Sequence, residues 1–92
     1  MGKVGVVFYG GLARVTGEKT AYLSGSTVKE VLNLLMARYG ERFESRIYDG
    51  DGKLRRFVNI YINGKDIRFL SQLDSKLDDG DEISIIPAVG GG

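Results

Sequence analysis

The sequence predicts an α+β fold in which one main helix packs on one face of a mixed β-sheet. Short segments of alternating apolar and polar residues predict the strands, because successive side chains of a strand point to opposite faces. One segment, from Thr27 to Gly40, has apolar residues at helical spacing instead. A single amphipathic helix cannot bury its apolar side alone, so it must lie across the sheet.

Two strands are predicted near the N-terminus, at Val4–Tyr9 and Lys19–Leu23. Between them, residues 10–17 begin and end with glycine and are predicted to form a turn region, with Leu12 and Val15 as anchors. This connection is short enough for an antiparallel pair. The side chains predicted to face inward are Val4, Val6, Phe8, Ala21 and Leu23.

The main helix is predicted to begin at a capping box, in which the Thr27 hydroxyl accepts a backbone hydrogen bond and Glu30 reaches back. Gly40 provides the stop signal. Leu34 and Met36 lie off the main stripe and are expected to make a second core contact. The stripe consists of Val28, Val31, Leu32, Leu35 and Tyr39.

Residues 41–56 are predicted to form a long polar connection, pinned to the body by Phe43, Ile47 and Tyr48. Within it, Asp49-Gly50-Asp51-Gly52 resembles part of a calcium-binding loop. It lacks the third acidic ligand and the terminal glutamate at the required spacing, so the pattern predicts a surface turn.

The last third of the chain is predicted to add three strands. Phe57–Ile62 alternates clearly, and Asn63-Gly64 is a strong signal for a tight turn. A short strand is predicted within Lys65–Phe69, and the final strand at Ile83–Ile86. Further core contacts are expected from Leu70, Leu73 and Leu77. The intervening turn is Asp78-Asp79-Gly80-Asp81, where Gly80 is expected to have a positive φ.

The composition favours a small carrier or binding protein over a self-contained enzyme. The 92 residues make one domain, with no Cys for a disulfide or thiolate site and no His, the commonest general base. A net charge of +1 argues against a dedicated nucleic-acid binder. No apolar run could span a membrane, and no signal peptide is evident, so a cytoplasmic protein without a membrane partner is expected.

The C-terminal residues Pro87-Ala88-Val89-Gly90-Gly91-Gly92 suggest a chemical handle. We expect residues 1–87 to form the domain and residues 88–92 a flexible tail, since glycine loses the most freedom when ordered. Such a thin tail could enter a narrow channel and present an unhindered carboxylate for activation. A frayed end is the alternative, because chain termini are commonly disordered.

The whole chain resembles the MoaD/ThiS family of sulfur carriers, which have the β-grasp, ubiquitin-like fold. Within that family it is most similar to the small subunit of molybdopterin synthase and to small archaeal modifier proteins. The tail follows the family pattern Pro-Pro-Val-x-Gly-Gly but has Ala88 where a second proline is usual. The motifs that carry the resemblance are Phe8-Tyr9-Gly10, Thr27-Val28, Val58-Asn59-Ile60, Asn63-Gly64, Leu77–Glu82, Ile85-Ile86-Pro87, Val89 and Gly91-Gly92.

The resemblance implies a non-catalytic carrier whose terminal carboxylate, at Gly92, is adenylylated by a separate ubiquitin-activating-type adenylyltransferase. ATP and magnesium would be supplied at that enzyme, with no cofactor bound permanently by the carrier. A sulfur donor enzyme would then form a thiocarboxylate. Gly90 and Gly91 would thread the channel, and Pro87, Ala88 and Val89 would dock beside it.

The resemblance leaves two chemical functions open. The leading one is sulfur donation to a molybdenum-cofactor precursor, with the large subunit of molybdopterin synthase as partner. The rival is protein modification through an isopeptide bond to target lysines. A ubiquitin-like binding module with a chemically inert tail is a third alternative. For any partner, alternation turns Tyr61 and Ile86 away from the helix, so they are predicted as docking anchors.

Overall fold

The computed structural model of the protein describes residues 2–87, which form a five-stranded sheet with the order β2-β1-β5-β3-β4. Strands β1 and β5 are parallel, and the other neighbouring pairs are antiparallel. The predicted mixed sheet is therefore confirmed, with the last strand beside the first. The strands are β1 (Lys3–Phe8), β2 (Thr20–Ser24), β3 (Val58–Ile62), β4 (Lys65–Asp66) and β5 (Glu82–Pro87).

Three α-helices accompany the sheet: α1 (Gly11–Thr16), α2 (Val28–Tyr39) and α3 (Glu41–Ile47). Two short 3₁₀ helices, Ile67–Phe69 and Gln72–Asp74, follow β4.

The predicted capping box at the start of α2 is confirmed, with one shift of partner. The Thr27 hydroxyl oxygen accepts from the Glu30 N–H at 3.2 Å, but Glu30 Oε1 accepts from the Ser26 N–H, at 2.6 Å. At the other end, the Gly40 N–H donates to the Met36 carbonyl at 2.8 Å, and its φ of 79° ends the helix. Both local signals thus position α2 as the sequence predicts.

One apolar core lies between the helices and the inner face of the sheet. The predicted stripe residues Val28, Val31, Leu32 and Leu35 of α2 are fully buried. They share this core with residues of β1, β3 and β5. The Phe8 ring packs edge-on against two others, with its centroid 5.7 Å from that of Tyr39 and 6.0 Å from that of Phe43. The sheet residues predicted to meet the helix, all buried, are Val6, Phe8, Ile60 and Ile85.

The prediction of loops at residues 10–17 and 41–56 is wrong in part, because each region contains a helix. The six-residue α1 ends where Gly17 takes the left-handed conformation, and Leu12 is its one fully buried side chain. Helix α3 buries Phe43 and Ile47, which are four residues apart and so share one helix face. Helices of six or seven residues have too few positions to show a clear hydrophobic period. Their conformation is therefore determined by packing against the core.

The remaining predictions of core contacts are confirmed in part. Leu34 and Leu70 are 42% and 41% exposed, so their predicted core contacts are wrong. Met36 and Leu73 pack against the core, and Leu77 is buried, as expected.

The predicted turns are confirmed. Asn63 and Gly64 have φ values of 51° and 86°, as a type I′ hairpin requires. Gly80 has a φ of 88°. In the third turn, Asp49 Oδ1 accepts from the N–H groups of Asp51 and Lys53 at 2.9 and 3.0 Å, so this carboxylate supports the surface turn.

The predicted strand after the Asn63-Gly64 turn is shorter than expected. It ends at Asp66, whose side chain accepts from the Arg68 N–H at 2.9 Å and starts a 3₁₀ helix. Within the described part of the chain, no helix is both long and apolar enough to cross a membrane.

Candidate functional site

Strand β5 positions the candidate site, because it leads to the predicted tail from the centre of the sheet. It is paired on both sides, to β1 through Phe8↔Ile85 and to β3 through Asn59↔Ile86 and Val58↔Pro87. The Tyr9 N–H also donates to the Ile85 carbonyl at 3.2 Å. The chain therefore reaches Pro87 from a strand that is held between two neighbours.

Pro87 is half-buried at the end of this strand, with Val58 on one side and the loop after β1 on the other. Gly10 in that loop has a φ of 57°, and a Cβ built on it would lie 3.6 Å from Pro87 Cγ. Pro87 is itself the last described residue paired with β3. Its missing N–H is tolerated at a strand end.

The predicted tail residues Ala88, Val89, Gly90, Gly91 and Gly92 lie outside the described residues. Their roles in threading and attachment stay predictions. The structure describes the other three predicted site residues, Tyr61, Ile86 and Pro87.

Tyr61 and Ile86 come together on the sheet face opposite the helices. Tyr61 pairs with Ser84, two residues before Ile86, so Tyr61 and Ile86 are diagonal neighbours, with Cα atoms about 7–8 Å apart in a regular sheet. Both side chains are half-buried. Alternation thus places them on one surface near the end of β5, while their role as docking anchors stays a prediction.

A second aromatic side chain lies on the sheet face opposite the helices, which is the open face of the sheet. It lies at the far edge of that face. Tyr22 on β2 is 64% exposed and pairs with Gly5 of β1. A Cβ on Gly5 would lie 3.2 Å from Tyr22 Cε1, so the ring lies over the glycine. Sequence analysis identified no role for Tyr22, although its outward position follows from the alternation of β2.

A polar network beside Ile86 was also missed. The Arg68 guanidinium donates to Asp66 Oδ2 at 2.8 Å and to the side-chain oxygen of Asn59 at 2.7 Å. Asn59 pairs with Ile86 in the sheet, so this network borders the predicted anchor. Alternation could have placed Asn59 on this face, but Arg68 arrives there only through the 3₁₀ helix after β4.

The hydrogen bonds of this network shift the pKa values of Asp66 and Arg68. Hydrogen bonds from the Arg68 side chain and backbone lower the pKa of Asp66, and the same side-chain hydrogen bond raises the pKa of Arg68. Away from the open face, burial raises the pKa of Tyr39, and its hydrogen bond to Glu18 adds to the increase. The shifts at Asp66 and Arg68 both favour the charged form of the group.

Residues 2–87 contain no group of three or more His, Cys, Asp or Glu side chains placed to hold a metal ion. The described part of the candidate site consists of a strand end, the half-buried pair Tyr61 and Ile86, and the Asp66–Arg68 ion pair.

Comparison with protein-family models gives a match to the ThiS family over residues 6–92. Among curated proteins, the chain is similar to the sulfur carrier protein CysO of Mycobacterium tuberculosis, with 45% identity over 78 residues that cover 83% of each protein.

Two solved structures extend the comparison. The chain is similar to small archaeal modifier protein 1 from Methanosarcina acetivorans, with a TM-score of 0.87, 36% identity and coverage of 100% and 98% of the two chains. It is also similar to a putative molybdopterin converting factor, subunit 1, from Pyrococcus furiosus, with a TM-score of 0.75, 25% identity and coverage of 97% and 100%. Both similarities extend over nearly the whole chain.

Proposed function

The chain belongs to the ThiS family and shares its ubiquitin-like fold, and we propose that it carries sulfur on its C-terminal glycine, Gly92. The carboxylate of Gly92 is adenylylated by a separate ATP-dependent enzyme and then converted to a thiocarboxylate. The observation that carries this proposal is the central position of β5, which is paired to β1 as far as Ile85 and to β3 as far as Pro87, the last described residue.

A centrally paired strand suits a carrier because it fixes the starting point of the segment that follows it. The partner enzyme can dock on the rigid sheet and receive residues 88–92 at a defined place. Reacting atoms must come within about 3–3.5 Å, so a fixed starting point reduces the search for that geometry.

The chemistry is divided between carrier and partner. The carboxylate oxygen attacks the α-phosphorus of ATP and releases pyrophosphate, which turns a poor electrophile into an acyl-adenylate. The sulfur donor enzyme then supplies sulfur at the oxidation level of sulfide, which attacks the acyl carbon. The bond from that carbon to AMP breaks, AMP leaves, and the product is a thiocarboxylate. The carrier contributes the tail and the docking face, and the activating enzyme supplies ATP and Mg²⁺.

We propose a molybdopterin precursor as the sulfur acceptor, with a large synthase subunit as the partner that binds it. The similarity to the Pyrococcus furiosus protein supports this acceptor. The similarity to small archaeal modifier protein 1 supports a second candidate, in which the activated carboxylate forms an isopeptide bond with lysines of target proteins. The two functions share the adenylylation step and differ in what attacks the activated carbonyl.

Removal of Gly91 and Gly92 tests the proposal. The truncated chain still ends in a glycine carboxylate, but its acyl carbon is withdrawn by up to about 7 Å, well beyond the tolerance for attack. We expect ATP–pyrophosphate exchange with the cognate activating enzyme to be abolished. Intact mass should likewise show no replacement of oxygen by sulfur. The unfolding midpoint should stay nearly unchanged, because the tail is expected to bury little.

A chain with alanine at both positions is the matched control, because it keeps the length and adds only two methyl groups. Partial activity of this variant would show that reach is the main requirement and channel width a lesser one. Full activity of the truncated, folded protein would contradict the proposal. For the acceptor, sulfur transfer to the precursor favours cofactor synthesis, and Gly-Gly remnants on lysines favour protein modification.

A further inference from the structure

A cleft of about 660 Å³ lies at the β3–β4 end of the sheet, between residues 48–56 and residues 66–73. It exists because β4 is only two residues long, so the ladder on this side of β3 stops at Tyr61. Beyond that point, Val58 and Ile60 face the cleft in place of a neighbouring strand. Its volume lies within the range of about 300–1,000 Å³ typical of ligand pockets.

The cleft has an apolar floor and a cationic rim. The floor is formed by side chains from β3, the 3₁₀ helices and the preceding loop, and the rim has four cations and one carboxylate. The floor residues are Tyr48, Leu54, Val58, Ile60, Ile67 and Leu73. The rim residues are Lys53, Arg55, Arg56, Arg68 and Asp66.

Hydrogen bonds to backbone carbonyls fix the loop that carries Lys53 and Arg55. The loop is closed by the Tyr48↔Leu54 bridge and by the Asp49 N–H, which donates to the Lys53 carbonyl at 2.8 Å. Arg55 is fixed at two points, since its N–H donates to the Ile47 carbonyl and its Nε to the Ser45 carbonyl, both at 2.9 Å. The cations are therefore presented from a hydrogen-bonded loop.

Positive charge is concentrated at this place. Four of the 13 basic residues and only one of the 12 acidic residues line the cleft, so the rest of the chain has more acidic than basic residues. Asp66 is already paired with Arg68. Within residues 2–87, Lys53, Arg55 and Arg56 form no salt bridge. The pKa of the nearby Asp49 is lowered first by a hydrogen bond from the Lys53 backbone N–H, and the charges of Arg55 and Lys53 add to the decrease.

We propose that this cleft is a docking site for a short acidic peptide segment of a partner protein, separate from the open face of the sheet. An apolar side chain of the segment enters the cleft against the half-buried Leu54 and Leu73, and flanking carboxylates pair with Lys53, Arg55 and Arg56. Val58 is also the residue paired with Pro87, so the site adjoins the end of β5. A partner docked here is held beside the C-terminal segment.

Charge complementarity selects this occupant over the others. A second copy of the chain would bring the same cations together, and residues 88–92 contain no acidic side chain. A nucleic acid would satisfy the rim but would leave the aliphatic floor without an apolar partner.

The probe is the blocked peptide acetyl-Asp-Glu-Leu-Glu-Asp-amide, titrated into the full-length ¹⁵N-labelled protein. We expect the amide resonances of Leu54, Val58 and Ile67 to shift, with those of β2 unchanged. Lys53→Gln with Arg56→Gln should weaken binding about tenfold, because it removes two exposed cations that pair with carboxylates of the peptide. The matched control, Lys29→Gln with Arg42→Gln, removes two exposed cations outside the cleft and should change affinity by less than about twofold.

Two altered peptides test the two halves of the site. Replacement of the acids by Asn and Gln tests the rim, replacement of Leu by Ala tests the floor, and each should weaken binding. Equal binding of the uncharged peptide, or equal weakening by the control protein, would overturn the proposal. So would Leu54 and Ile67 resonances that move on deletion of residues 88–92, concentration-dependent dimerisation through the cleft, or tighter binding of oligothymidylate. None of these results depends on adenylylation, so the proposed function is tested separately.

Discussion

The two faces of the sheet differ in exposure, although the same strands supply the side chains of both. On β3, Val58, Ile60 and Ile62 are 4%, 1% and 8% exposed beneath the helices, whereas Asn59 and Tyr61 are half-buried on the other face. On β5, Ile83 and Ile85 are fully buried, while Ser84 and Ile86 lie on the open side. Each strand therefore supplies a core with one set of side chains and a surface with the other.

This division separates stability from recognition. The covered face holds the apolar side chains whose burial drives folding, at roughly 25 cal/mol per Å² of apolar surface removed from water. The side chains of the open face contribute less to folding stability, so they are available for contacts with a partner. Substitutions on the two faces should therefore affect different measurements.

The largest effect on folding is expected on the covered face. Leu32→Ala should lower the free energy of unfolding by about 2–5 kcal/mol, because it removes buried methyl groups and leaves a cavity. The measurement is urea unfolding followed by circular dichroism.

Leu34→Ala is the matched control, since it makes the same change on the same helix at a side chain that is 42% exposed. It should change the free energy of unfolding by only about 0.5 kcal/mol. Equal losses from the two variants would contradict the comparison between covered and exposed positions.

The next effect is expected on binding to the activating enzyme. Tyr61→Ala should weaken affinity about tenfold or more, as truncation of an aromatic anchor commonly costs above 1 kcal/mol. Ile86→Ser should act in the same direction. Calorimetric titration of folded variants with the activating enzyme measures both.

Tyr22→Ala makes the same change on the same face but on β2. It lies three strands from β3, or about 14 Å at a spacing of about 4.8 Å between strands. If Tyr22→Ala weakened binding as much as Tyr61→Ala, the anchors would not be confined to the end of β5. Unchanged binding of both Tyr61→Ala and Ile86→Ser would reject them altogether.

Local signals in the sequence were sufficient for the main elements of the fold. The Thr27 cap, the Gly40 stop and the apolar stripe all lie within or directly beside α2, so they can be identified without knowledge of the partner elements. The Asn63-Gly64 turn is equally local. Helices α1 and α3 are different, because six or seven residues show little period and their packing on the core decides their conformation.

For the site, alternation correctly placed Tyr61 and Ile86 on the open face. It could not predict the ion pair beside them, because Arg68 comes into contact with Asn59 only after the turn of the 3₁₀ helix. The cleft was also beyond sequence reasoning. It depends on the early end of β4 and on how the 48–56 loop folds back over β3, which are both tertiary features.

The smallest effect is expected from the ion pair at the edge of the open face. Asp66 has a lowered pKa in the folded protein because Arg68 donates hydrogen bonds to it. A carboxyl group whose pKa is lower in the folded state stabilises that state above its unfolded pKa of about 3.9, and the contribution disappears as the pH falls through the lower folded value. Asp66→Asn should therefore reduce the unfolding midpoint slightly at pH 7, and the difference from the unmodified protein should shrink toward zero in acid.

Salt and a second carboxylate sharpen this test. The Arg68 side chain is 60% exposed and that of Asp66 is 12% exposed, so salt reaches the pair mainly at Arg68, and screening should reduce the pH 7 difference as ionic strength rises. Asp51→Asn is the control, because Asp51 is exposed and its carboxylate accepts no hydrogen bond within residues 2–87. A difference for Asp66→Asn that grew as the pH fell would have the wrong sign for a carboxylate stabilised by Arg68. A loss as large as that of Leu32→Ala would show that the open edge, as well as the core, determines the stability of the fold.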